Sequence, residues 1–328
     1  MQKKDLRIVF MGTPEFAVPT LKAMVEQGYN VVAVVTQPDK PVGRHGSVLQ
    51  ASAVKQYAQS VGLPVLQPLK MKDPAFVEQL QSYQANLQVV VAFRMLPEVV
   101  WAMPEYGTFN VHAALLPQYR GAAPINWAII HGEQQTGVST FFLDHDIDTG
   151  RVIMQKSFDI PQDADVEYVY DGLMALGADI CMETIERIIA ADGYPESIPQ
   201  DQLMTAGQEL RPAPKLFKEN CCIDWNADAE KVRNFVRGLS PVPGAWTTLV
   251  APDGHETVLK IYKAHVICCE NVSSAIGTIV KVSRNMTAVV AGKKTLLAID
   301  ELQLAGKKRM NITDFMNGIK EIENYFVK

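Results

Sequence analysis

The sequence predicts an α/β fold class: a Rossmann-like, doubly wound, mostly parallel sheet, followed by a C-terminal OB-like β-barrel domain. Three observations carry this expectation. Short, nearly all-apolar runs alternate with helical stretches through the first half, as parallel strands covered on both faces do. Five short strands punctuated by Gly, Asn and Asp crowd the last third, the pattern of a small barrel. Between them, residues 190–214 lose periodicity and collect Asp192, Gly193, Pro195, Pro199, Gly207, Pro212 and Pro214, the residues of turns and linkers.

Residues 6–11 form the first apolar run, which Gly12-Thr13-Pro14 turns into a helical stretch through Val25. Residues 31–36 give a second strand, 63–66 a weaker third, and 87–92 a β-branched run preceded by a helix at 73–81. Residues 108–112 form the next strand, and 138–143 with 152–158 flank a polar loop as a hairpin. A long helix follows at 166–191. The last third reads as a helix at 229–237 and strands at 245–250, 258–266, 277–281, 287–290 and 295–304. Right-handed crossovers wind the first half into one sheet. The expected partition is a catalytic domain over 1–207 and a second domain over 208–328, with the linker at 192–214.

At 328 residues the chain is long for a single core, which favours two domains. A hydrophobic share of 48% with 20% charged residues excludes a disordered or fibrous chain. The N-terminus MQKKDLRIVFMG leads straight into a strand without a cleavage site, so it is not read as a signal peptide. No window holds 18 uninterrupted apolar residues, so no membrane span is expected. Cys181, Cys221, Cys222, Cys268 and Cys269 are odd in number and lack metal-type spacing, which fits a reduced, cytoplasmic protein. Residues 1–211 carry 15 Lys and Arg against 24 Asp and Glu, whereas 212–328 carry 16 against 12. A basic second part suits nucleic-acid docking, and equally suits ordinary drift of surface charge.

The chemistry concentrates in Phe109-Asn110-Val111-His112-Ala113-Ala114-Leu115-Leu116-Pro117 and in Asp144-His145-Asp146-Ile147-Asp148-Thr149-Gly150. Side chains alternate along a strand, so Asn110 and His112 share a face. They lie at the carboxyl end of a parallel strand, where doubly wound sheets bind ligands. An amide donor, an imidazole that moves a proton and a carboxylate that fixes the imidazole tautomer suffice for attack on a carbonyl by an external nucleophile. The same residues also fit a plain strand end with one satisfied histidine and an Asp-Thr-Gly turn. Asp144, Asp146 and Asp148 alternate, but Thr149 stands where a calcium loop needs glycine and no glutamate closes the site, so no metal is expected.

Gly12-Thr13-Pro14-Glu15-Phe16 lacks the second and third glycines of a dinucleotide fingerprint, which disfavours that ligand class. The polar loop from Thr36 to Ser47 has the length and cations of a recognition loop, with Lys40 and Arg44 available to phosphates; a plain solvated loop fits it as well. Arg120, at a helix start, is badly placed for the helix dipole and is expected to meet an anionic ligand or the nearby carboxylates. Arg94 is read either beside the cleft or on the surface. The Ala114, Leu115, Leu116 and Pro117 segment offers only backbone and shape, which suits the donor and acceptor edge of a flat cofactor ring.

Asn110-Val111-His112, Leu115-Leu116-Pro117, Arg120-Gly121-Ala122-Ala123-Pro124 and Asp148-Thr149-Gly150 together resemble the core signature of the 10-formyltetrahydrofolate-dependent formyltransferases. The resemblance extends over essentially the whole chain through Phe10-Met11-Gly12-Thr13-Pro14, Gln37-Pro38-Asp39-Lys40-Pro41-Val42-Gly43-Arg44, Arg237-Gly238-Leu239-Ser240-Pro241 and Gly306-Lys307-Lys308-Arg309-Met310. The family usually has serine where this chain has Ala114, and a smaller, glycine-containing segment at Phe93-Arg94-Met95. The resemblance implies transfer of a formyl group from 10-formyltetrahydrofolate, as co-substrate, to the amino group of methionine esterified to initiator tRNA. It implies Asn110, His112 and Asp148 as catalytic, the segment from Ala114 to Pro117 as folate-binding, and no covalent enzyme intermediate. Lys40, Arg44, Lys215, Lys307, Lys308 and Arg309 are the cations it offers to tRNA, and a monomer is expected. The alternative is a formyltransferase acting on a small amine such as a sugar nucleotide.

Overall fold

A computed structural model describes residues 1–42, 48–205, 207–268, 272–319 and 321–328. Arg44 and Cys269 lie outside the described residues. The chain divides into two compact units, Met1–Gly121 with Gln135–Asp159 and Tyr170–Pro212, and Ala122–Gln134 with Ile160–Val169 and Ala213–Lys328.

In chain order the first half runs β1 (Ile8–Gly12), α1 (Val18–Glu26), β2 (Val31–Val35), β3 (Lys40–Val42), β4 (Val48–Gln50), α2 (Ala53–Ser60), β5 (Val65–Leu66), α3 (Pro74–Ser82), β6 (Leu87–Val91), α4 (Glu98–Trp101) and β7 (Thr108–His112). Next come α5 (Pro124–Ile130), β8 (Gln135–Phe142), β9 (Val152–Asp159) and α6 (Val166–Ala190). One sheet takes the order β5-β2-β1-β6-β7-β8-β9. Its first five strands are parallel, and β8 and β9 add as an antiparallel hairpin. Val9, Met11, Ala33, Val35 and Val90 pack against Phe76 and Leu80 of α3 and Val100 of α4. The alternate residues Ile8, Phe10, Val34, Val89 and Val91 are equally sealed from solvent, so the sheet is covered on both faces. This two-sided burial is why the strands read as continuous apolar runs.

Asp73 caps α3 by accepting from the Ala75 N–H at 3.1 Å, and Pro74 opens the helix where its missing N–H costs nothing. Gly150, at the entry to β9, faces the β8 backbone. A Cβ there would lie 1.7 Å from the Phe142 carbonyl oxygen, so only glycine fits. Gly150→Ala is expected to lower stability by about 1–3 kcal/mol or more, the scale of overpacking; thermal denaturation measures it, and an unchanged Tm contradicts the packing account.

The second unit holds α5 and then α7 (Ala229–Leu239), β10 (Ala245–Val250), β11 (Glu256–Ile267), β12 (Ile279–Ser283), β13 (Met286–Ala291), β14 (Thr295–Leu304), β15 (Met310–Asn311), α8 (Ile312–Gly318) and β16 (Phe326–Val327). Its antiparallel sheet has the order β12-β13-β14-β11-β10-β16, with β15 on β14. A bridge between Thr278 and Phe326 joins the two ends of that order, which leaves few open strand edges. Val232, Val236 and Leu239 of α7 enter the core with Leu249, Ile261, Leu297 and Leu302. The Trp225 indole N–H is satisfied by Thr247 Oγ1 at 2.9 Å, as a buried tryptophan requires. Asn126 of α5 donates to the Gly238 carbonyl on α7 at 2.8 Å.

Candidate active site

Strand β7 delivers Asn110 and His112 from its carboxyl end, flanked by β6 and β8, with Asn110 opposite Val90 and Phe141 and His112 opposite Ser139. The His112 ring is 6% exposed and meets the Phe141 ring edge-on at 6.3 Å. Its Nε2 lies 2.9 Å from the Tyr119 carbonyl oxygen. A carbonyl only accepts, so Nε2 carries the hydrogen and Nδ1 is the nitrogen left to exchange a proton. Nδ1 faces Asp148 Oδ2 at 3.8 Å, inside ion-pair range and beyond a direct hydrogen bond. The expected role of the carboxylate in fixing the tautomer is thereby corrected: the Tyr119 carbonyl fixes it. Asp148 instead places its carboxylate beside the uncommitted nitrogen.

Asp148 takes a left-handed backbone with φ of 55°, a conformation that costs on the order of 1–3 kcal/mol outside glycine and persists where its surroundings enforce it. Asp148 Oδ2 accepts from the Gly121 N–H at 2.9 Å. Asn110 is half-buried, and its Oδ1 is buried with no hydrogen-bond partner among the described residues. Leaving such an atom unsatisfied costs about 1–3 kcal/mol, and such exceptions concentrate where a group has a task besides stability. An asparagine amide with Nδ2 as a donor, an imidazole with one committed nitrogen and a carboxylate beside the other fit a carbonyl-bearing one-carbon group.

The segment from Ala114 to Pro117 is held by side chains of the neighbouring hairpin. Ser139 Oγ donates to the Ala114 carbonyl at 2.6 Å and accepts from the Leu116 N–H at 3.0 Å. Gln155 Nε2 donates to the Leu116 carbonyl at 2.8 Å, and the Ala114 N–H bonds the His112 carbonyl at 2.9 Å. Ala114, Leu116 and Pro117 are buried, and Leu115 is half-buried. The backbone groups of Ala114 and Leu116 thus hold the strand exit in place.

Arg94 donates to the Pro68 and Leu69 carbonyls, and burial lowers its guanidinium from the usual arginine range. Lys40 stands exposed on β3. At the base of that hairpin, the Lys55 ammonium and the Gln67 amide hold the Asp39 carboxyl below its ordinary range. Lys215, Lys307 and Lys308 are exposed, whereas Arg309 pairs with Glu301 and lies 4.5 Å over the Tyr262 ring. Among the described residues Arg120 meets no carboxylate; its guanidinium donates to Gln200 Oε1 at 3.0 and 2.7 Å. Gln200, Ser139 and Gln155 were not singled out from sequence, because isolated polar residues carry no motif. Among the described residues no group of three or more His, Cys, Asp or Glu is arranged to hold a metal ion.

Residues 6–185 match the family described as formyl transferase, and residues 215–320 match its C-terminal domain. The methionyl-tRNA formyltransferase of Parabacteroides distasonis is 58% identical over 327 residues, covering 100% of both chains. The chain belongs to the methionyl-tRNA formyltransferase family. The member from Phocaeicola vulgatus is 55% identical over 324 residues, covering 99% of each chain. Among solved structures, a sugar 3N-formyl transferase in the presence of dTDP and 5-N-formyl-THF superposes with a TM-score of 0.60. It covers 92% of this chain and 99% of that one at 16% identity, a likeness of fold. Methionyl-tRNA formyltransferase family membership places the two halves of the sequence, sheet unit and antiparallel unit, in one protein type.

Proposed function

We propose that the chain transfers the formyl group of 10-formyltetrahydrofolate to the amino group of methionine on initiator tRNA. The observation that carries this reading is the 58% identity to a methionyl-tRNA formyltransferase over 100% of both chains, because it spans the antiparallel unit as well as the catalytic sheet. The sugar 3N-formyl transferase shares the fold at only 16% identity, against 58% for the methionyl-tRNA enzyme, so the sugar-nucleotide alternative has less support.

10-Formyltetrahydrofolate would supply the electrophilic formyl carbon. Asn110 donates its amide N–H to the formyl oxygen as charge develops there, the stabilisation that acyl transfer most requires. His112 Nδ1 takes the proton released as the amine attacks the formyl carbon, the Asp148 carboxylate stabilises the resulting imidazolium, and that proton passes to the folate nitrogen as its bond to the formyl carbon breaks. Ala114, Leu115, Leu116 and Pro117 serve as the apolar wall that fixes this strand end. The amine is itself the nucleophile, so the cysteines have no role.

The antiparallel sheet, with its ends bridged at Thr278 and Phe326, supports an OB-like barrel, and barrels of that kind present surfaces to nucleic acid. We assign Lys215, Lys307 and Lys308, with Lys40 and Arg44 of the loop, to tRNA phosphates; Arg309 contributes less because Glu301 already pairs it. The partition at 207/208, a cytoplasmic location and a monomeric state belong to the same reading. Among the described residues no helix is long and apolar enough to cross a membrane.

The decisive assay incubates the chain with 10-formyltetrahydrofolate and charged initiator tRNA, then separates formyl-methionine from free formate. Formyl-methionyl-tRNA is the expected product; formate alone, or no turnover, overturns the reading. If three or more lysines neutralise phosphates, log K for tRNA should fall against log salt with a slope of about −2 or steeper. A flat salt response removes the assigned lysines from the interface.

A further inference from the structure

Of the expected linker at 192–214, residues 192–205 and 207–212 belong to the catalytic sheet unit. Ile198 exchanges both backbone hydrogen bonds with Val152 at 2.8 Å, and Arg151 Nε donates to Ser197 Oγ at 2.9 Å. Gln118 brackets the far end: its Nε2 donates to the Glu209 carbonyl at 3.0 Å, and its Oε1 accepts from the Arg211 N–H at 2.9 Å. The Arg211 carbonyl then accepts from the Tyr119 N–H at 2.7 Å. Tyr119 sits at a left-handed φ of 59°, and its own carbonyl is the one that orients His112.

Gln200 occupies the middle of this segment and is 4% exposed. Both ends of its amide are consumed. Nε2 donates to the Asp148 and Gly150 carbonyls, each at 2.8 Å. Oε1 accepts the two Arg120 donors, one residue before the Gly121 N–H that holds the Asp148 carboxylate. A neutral side chain with two donors and one acceptor is what two carbonyls and a guanidinium require. Glutamate in its place would keep Arg120 and lose both donors.

We infer that Gln200 is a positioning residue for formyl transfer, and that the connecting segment is a strap holding both proton-handling groups from behind. It fixes the strained Asp148 turn through Gln200 and the His112 tautomer through Arg211 and Tyr119. This rests on the function proposed above, because the groups it positions are the catalytic ones of that reading.

The test compares wild type with Gln200→Glu and with the near-isosteric Gln200→Met. One measurement is steady-state formyl transfer to charged initiator tRNA. The other is amide hydrogen exchange at Gly121 in the chain without substrates. Loosening a catalytic group by about an ångström lowers rates by roughly tenfold to a hundredfold, so kcat should fall by that factor in both variants. KM for the tRNA should stay within about twofold, since uniform binding is untouched. Gly121 exchange should quicken roughly tenfold as its acceptor is released. A Gln200→Glu protein with wild-type kcat and wild-type Gly121 exchange overturns the inference. If wild type forms no formyl-methionyl-tRNA, the proposed function fails and the positioning role for formyl transfer with it, while quickened Gly121 exchange in both variants would still establish the strap and unchanged exchange would overturn it. Should Gln200→Glu not fold, Gln200→Met decides by the same two measurements.

Discussion

Asn110→Ala should lower kcat for formyl transfer by about 10²–10³-fold, the effect of losing one preorganised donor at a developing oxyanion. The folded state should not suffer equally. Asn110 Oδ1 has no partner to lose among the described residues, and truncation removes an unsatisfied buried atom instead of a hydrogen bond. Activity and stability should therefore separate: a large drop in kcat with a Tm equal to or above that of wild type. Near-native turnover in this variant would remove the amide from the chemistry.

Asp148→Ala should cost about 10²-fold or more, within the range for losing a group that assists proton transfer. Two interactions disappear together, the charge 3.8 Å from His112 Nδ1 and the acceptor for the Gly121 N–H at 2.9 Å. Asp148→Asn divides them, since an asparagine oxygen still accepts from Gly121 while the negative charge is gone. If charge beside the imidazole is what matters, the asparagine variant should be nearly as slow as the alanine one. Recovery of wild-type kcat by Asp148→Asn would assign the residue to holding the turn alone. Initial rates at saturating substrates distinguish the two cases.

The sheet strands were legible because burial on both faces writes itself as mostly apolar runs such as Val31-Val32-Ala33-Val34-Val35. Residues 87–92 and 108–112 correspond within a residue to Leu87–Val91 and Thr108–His112. The hairpin strands Lys40–Val42 and Val48–Gln50 were not, since all six residues are exposed and lack alternation. Phe326–Val327 escaped notice for a different reason: two residues have no period, and they become a strand only by pairing with β10 and bridging to Thr278. At the site, the pairing of Asn110 with His112 followed from the two-residue strand period. The Tyr119 carbonyl that sets the tautomer did not, because it depends on a left-handed backbone rather than on any side chain. Gln200 was hidden within a Pro- and Gly-rich stretch whose composition describes a linker, while its backbone is fastened to β9.

The most direct test of the account is a structure of the chain with the unreactive analogue 5-formyltetrahydrofolate bound. The formyl oxygen should lie within about 3 Å of Asn110 Nδ2, the distance of an effective oxyanion donor, with His112 Nδ1 and Asp148 Oδ2 on the side open to an incoming amine. A formyl group seated elsewhere, or screened from these three side chains by packed core, would contradict it.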